Sequence, residues 1–139
     1  MEAKELKLGN LVIWGAHGIC EVIEIKKEKI RVQVFNSTAG YDKVLVFTSD
    51  LEPVILSPGI LEDCGFEEDS DDSQNLYRLG GFILKNEGDY ESWIFCIVNQ
   101  VVSYTPLKSL HFLQNLYYSL TSGKELDVSK ILFNTKVHA

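Results

Sequence analysis

Ser103-Tyr-Thr-Pro-Leu-Lys-Ser-Leu-His-Phe-Leu-Gln-Asn-Leu-Tyr-Tyr-Ser-Leu-Thr-Ser-Gly123 reads as one helix with both ends written in. Thr105 can cap the start and Pro106 suits the first helical position, so the spacing predicts a helix over 106–121. Leu110, Leu113, Leu116, Tyr117 and Leu120 form a single apolar stripe, and Gly123 can end the helix. Five such side chains, at about 1.5–3 kcal/mol each when fully buried, outweigh the propensity of the helix itself. The stripe therefore needs a sheet or another helix to lie on.

Strand signals fill the chain ahead of it. Leu11-Val-Ile-Trp14 and Ile19 to Ile25 flank the turn Gly15-Ala-His-Gly18, and Ile30 to Phe35 alternates apolar and polar. Lys43 to Phe47 and Leu51 to Val54 follow, with Pro53 confining the last strand to an edge. These short strands predict a small SH3-like β-barrel over 1–56. Ser57 and Pro58 start a short helix that Gly65 stops, and the acidic stretch 67–74 makes 57–75 a connecting segment. A second β unit is expected from Leu76–Leu79, Phe82–Lys85, Tyr90–Val98 and Val101–Tyr104. Trp93, Phe95 and Ile97 alternate with Ile94, Cys96 and Val98, so both faces of that strand are apolar and expected to be covered, one by helix 106–121. Residues 126–133 are expected to add an edge strand or a docked tail. The fold class expected is α+β: the barrel, the connector, and an antiparallel sheet over 76–139 packed by the one long helix.

At 139 residues the chain is long enough to bury its own core without disulfide or metal. Cys20, Cys64 and Cys96 are odd in number and widely spaced, which fits reduced thiols and a cytoplasmic location. The N-terminus lacks an apolar signal core, and the longest apolar run, Trp93 to Val98, is too short to span a bilayer. Net charge is −7, concentrated between Ser57 and Glu91, where ten acidic residues face Arg78 and Lys85. That balance argues against direct nucleic-acid binding.

Chemistry-bearing motifs are sparse. His17-Gly-Ile-Cys20 has the residue types of half a zinc site, but no second half stands at ligand spacing, so a turn histidine beside a buried cysteine is the expected reading. Asp69 to Asn75 imitates the start of a calcium loop, yet Gln74 stands at the sixth position in place of the turn glycine and Gly80 at the twelfth in place of the closing glutamate. Cys96 lies inside an apolar strand, where burial makes a thiol inert. The expectation is a non-enzymatic chain with no catalytic, cofactor or metal residues. What remains is surface. His111, Gln114, Asn115 and Tyr118 lie at spacings of three and four away from the leucine stripe and form a candidate partner-binding face. Packing of Tyr118 against the barrel is the equal alternative. Trp14 and Tyr41 are candidates to line a cleft on the barrel, against core packing of Trp14.

Three motifs in this order carry a resemblance: Leu6-Lys-Leu-Gly-Asn-Leu-Val12, Leu51-Glu-Pro-Val-Ile-Leu56 with a short helix ending Cys64-Gly-Phe66, and Leu110 to Gly123. Together the chain resembles a family of small uncharacterised proteins of Bacteroidetes genomes, their phages and prophages. The usual helix motif of that family runs Leu-Gln-Asn-Leu-Tyr-Phe-Ala-Leu-Thr-Gly-Glu-Glu-Leu; Tyr118, Ser119, Ser122 and the acidic stretch 67–74 depart from the family pattern. The resemblance implies no activity and transfers no functional residue. It implies an accessory protein of a phage or mobile element, acting on a host or phage protein by contact; a monomer is assumed. Gly9 to Val54 is similar, separately, to the Tudor-like RNA-polymerase-interacting domain of CarD-type transcription regulators, where a Gly-Asp, a Val-Val pair and a His-Gly turn precede a strand. That likeness implies the alternative function, transcription regulation through polymerase contact by the N-terminal barrel.

Overall fold

Leu11–Trp14 (β1) is paired on both sides in the computed structural model, which describes residues 1–35, 42–69, 76–86, 92–97, 100–101 and 106–137. Its neighbours are Ile19–Lys26 (β2) and Leu51–Pro53 (β5), both antiparallel. Lys29–Val34 (β3) and Lys43–Phe47 (β4) extend the sheet beyond β2, giving the order β4-β3-β2-β1-β5. Cross-strand register aligns Val12, Cys20 and Val34, then Val22 with Val32, then Ile30 with Val46. These side chains, with Leu6 and Leu51, form one buried apolar cluster. The pleat turns Leu11 to the opposite face, where it is also fully buried.

A closed barrel was expected here, and the sheet is open. Its edges are β4 and β5, which do not pair among the described residues. Strand β5 is only three residues long and ends on Pro53, which has no N–H to donate to a closing partner.

The second sheet is a meander: Glu67–Glu68 (β6), Leu76–Leu79 (β7), Phe82–Asn86 (β8), Trp93–Ile97 (β9) and Gln100–Val101 (β10), in the order β10-β9-β8-β7-β6. It follows Pro58–Asp63 (α1), whose first turn is closed by the Ser57 hydroxyl accepting from the Ile60 N–H at 3.3 Å. Trp93 and Phe95 lie on the same face of β9 and are buried, while Ile94 and Cys96 on the other face are partly exposed. Trp93 donates its indole N–H to the Leu56 carbonyl and pairs through its backbone with Leu107.

The long helix belongs to the unit of the first sheet, where the sequence assigns it to the second. It spans Leu110–Leu120 (α2), packs on β1, and falls in the compact unit formed by Met1–Val54 and Ser109–Ala139; Ile55–Lys108 is the other unit, inserted between the two pieces. A backbone hydrogen bond from Leu110 N to Val54 O ties the start of the helix to the end of the first sheet. Thr105 lies outside the described residues. Residues 106–109 are not helical because Leu107 is drawn into strand pairing with Trp93 instead, both backbone bonds at 2.7–2.9 Å. Residues 126–133 carry no edge strand: Ser129–Val137 is a third helix (α3), with Ile131 and the preceding Leu126 buried. The left-handed turn that ends α2 is taken first by Ser122, at φ +57, and the expected Gly123 follows it at φ +96 and donates its N–H to the Tyr118 carbonyl.

Candidate partner-binding site

The first ten residues reach β1 through a 3-10 turn at Ala3–Glu5 and a tight turn at Lys7–Asn10. Such a segment leaves backbone groups that neither helix nor sheet satisfies. Three amide side chains satisfy them. Gln114 accepts from the Leu11 N–H at 2.9 Å and donates to the Gly9 carbonyl at 3.0 Å. Asn115 donates to the Glu5 carbonyl and accepts from the Asn10 side chain, both at 2.9 Å. The Asn10 side-chain oxygen Oδ1 in turn accepts from the Lys7 N–H. The network locks α2 to the N-terminal segment at four points.

His111 extends it by one turn. Its Nε2 lies 3.3 Å from a Glu5 carboxylate oxygen, while Nδ1 has no partner among the described residues. Only 1% of the residue is exposed. Burial lowers its pKa, and the Glu5 carboxylate offsets part of that effect. Because the folded-state pKa lies below the unfolded value of about 6.5, His111 disfavours folding once the unfolded chain protonates. Its contribution is therefore fully present above about pH 6.5 and is lost as pH falls from there toward the folded-state pKa. Urea midpoints measured from pH 8 to pH 5 should fall more steeply for the wild type than for His111→Asn; equal slopes would contradict this account.

The candidate face is consequently not a free polar surface. His111 and Gln114 are buried, Asn115 is partly exposed, and only Tyr118 stands out, 46% exposed. The buried arc of α2 (Leu110, His111, Leu113, Gln114, Tyr117) is turned by about 70° from the leucine stripe at 100° per residue, leaving Leu116 partly exposed and Leu120 exposed. The amide network is the physical reason: the helix turns these polar side chains inward to meet otherwise unpaired backbone.

Gln114, Asn115 and Tyr118 meet at a pocket of about 350 Å³. The amides form part of its wall. Tyr118 is positioned by the chain turning beneath it, since a Cβ on Gly123 would meet the phenol ring and hydroxyl at 3.6 Å. Leu8, 64% exposed, also lines it, and Leu126 adds apolar wall. Three charged residues border it: Lys7, Glu21 from β2 and Glu125. Burial raises the Glu21 pKa, the Glu125 charge raises it further, and Lys136 partly relieves it. Sequence reasoning missed Leu8, Glu21 and Glu125 because the segments carrying them meet only in the folded chain.

Trp14 is outside this pocket; it is partly buried, with its ring 4.3 Å from that of His17. Tyr41 lies outside the described residues, as does most of the calcium-like stretch; of it, Asp69 pairs with Arg78 at 3.1 Å. Cys20 is buried and its pKa is pushed up to about 11 by that burial. Cys96, expected to be buried, is partly exposed. Among the described residues there is no group of three or more His, Cys, Asp or Glu that could hold a metal, and no helix long and apolar enough to cross a membrane. Comparison with family models, with curated proteins and with solved structures finds no match to this chain.

Proposed function

We propose that the chain is an accessory protein of a phage or mobile element that acts in the cytoplasm by protein–protein contact, using the pocket at the end of α2. The observation that carries this is the combination of an amide wall held by hydrogen bonds with exposed Leu8 and Tyr118 beside one concavity. Exposed aromatic side chains on a preorganised support are the typical anchors of protein interfaces. The motif resemblance to phage and prophage proteins supports the biological setting. A photocrosslinking residue at position 8, in the cell that makes the protein, should give a discrete protein adduct that Tyr118→Asp abolishes. The same residue at exposed position 133 serves as control; equal adducts at 8 and 133, or none at 8, would refute the reading.

A second reading, transcription regulation through polymerase contact by residues 1–56, draws support from the first sheet. Its order β4-β3-β2-β1-β5, the register shift in β2 between Val22 and Glu24, and the one-turn link Thr48–Asp50 before β5 fit an SH3-like topology. Purified core polymerase that fails to retain the full chain would remove this alternative.

A further inference from the structure

We infer that the α2 pocket receives the guanidinium of an arginine carried on an extended segment of the partner polypeptide, an inference that rests on the contact function proposed above. Glu21 and Glu125 both line the cavity, and neither carboxylate makes a hydrogen bond or ion pair among the described residues. Glu21, partly buried at this concave site and repelled by Glu125, carries a cost that a bound cation removes, while exposed Glu125 adds negative charge at the rim. The cations already nearby fill this role only in part: Lys136 relieves Glu21 from a distance while its ammonium sits 5.2 Å over the Phe35 ring, and Lys7 at the rim forms no ion pair with either carboxylate among the described residues. The remaining lining matches arginine in particular. Its planar fork donates to carboxylates and amide oxygens in several directions, and its face stacks on a phenol such as Tyr118. Leu126 and Val128 give its methylene stem apolar surface. A cavity of about 350 Å³ suits one side chain, and exposed Leu8 offers a shelf for the flanking backbone.

The full chain is titrated with acetyl-Gly-Arg-Gly amide, with its citrulline counterpart, and with agmatine, following amide signals by nuclear magnetic resonance. The arginine peptide is expected to shift the side-chain amides of Gln114 and Asn115 and the backbone amide of Glu125. Its Kd should be at least about tenfold below that of the citrulline peptide, the size expected for losing a charge-assisted pair. The double variant E21Q/E125Q should lose that preference while its thermal midpoint stays level or rises, since the burial of Glu21 and its repulsion by Glu125 outweigh the attraction of Lys136. Equal shifts by the arginine and citrulline peptides would overturn the cation assignment and leave the contact pocket standing. Agmatine binding as tightly as the peptide would overturn a polypeptide source. No shift with any of the three would overturn the inference, while the crosslink at position 8 separately decides the contact function.

Discussion

Phe95→Ala is expected to destabilise the inserted unit Ile55–Lys108 by about 3–5 kcal/mol, the range for deleting a fully buried aromatic ring. Phe95 stands opposite Leu84 of β8, which stands opposite Tyr77 of β7, so the three fill one face of the meander. Trp93 lies two residues along the same face and meets Tyr77 edge-on at 5.5 Å; Phe82 lies 5.5 Å from Phe95 itself. A unit of about fifty residues holds roughly 3–8 kcal/mol at ordinary stability per residue, so this one substitution removes most of it. Ile94→Ala, on the partly exposed face, should cost about 1 kcal/mol because less of its surface leaves water on folding. Trp93 fluorescence in a Trp14→Phe background, followed through urea, reads the unit directly. If Ile94→Ala proved as costly as Phe95→Ala, the assignment of buried and open faces would be wrong.

Apolar runs between turn signals carried the strands. Leu11–Trp14, Lys43–Phe47 and Leu76–Leu79 occupy the residues expected of them, and Ser57 caps α1 as its chemistry suggests. Errors arise where distant parts of the chain compete with local preference. Pro106 is a good first helical residue, but Leu107 pairs with Trp93, so the helix waits until Leu110. Helix α3 escaped notice because Ile131-Leu-Phe133 resembles a strand fragment. Its start was nonetheless marked by Asp127, whose carboxylate accepts from both the N–H and the hydroxyl of Ser129 and holds its pKa below the usual range.

The site was half legible. The spacing of His111, Gln114, Asn115 and Tyr118 picked out one side of the helix, but not which way it faces. A clue was available: at 100° per residue Gln114 lies about 40° from Leu110, at the border of the apolar stripe, where a glutamine survives only if its amide is satisfied. Its partners, Gly9 and Leu11, are a hundred residues away and carry no mark in the sequence that they need a donor and an acceptor.

That dependence makes Gln114→Leu the second large effect, expected at about 2–4 kcal/mol despite being a polar-to-apolar change at a buried position. Leucine fills similar space and adds apolar contact, which alone would favour folding. Two backbone groups then decide the sign. The Leu11 N–H loses its partner in a buried setting, where a group left unsatisfied costs about 1–3 kcal/mol, and the Gly9 carbonyl loses its own in a part-buried one, where water replaces some of the loss. Gln114→Glu keeps the acceptor for Leu11 but turns a carboxylate oxygen toward the Gly9 carbonyl, so it should fall short of wild type by a smaller margin. Asn115→Ala should cost about 1 kcal/mol, because Asn115 is partly exposed and water can replace the amide at Glu5 and Asn10. Urea midpoints at constant m-value give the order, and hydrogen exchange at the Leu11 amide gives the cause. Were Gln114→Leu to cost less than Asn115→Ala, or Leu11 to stay protected, the helix would be held to the first strand by its leucines rather than by its amides.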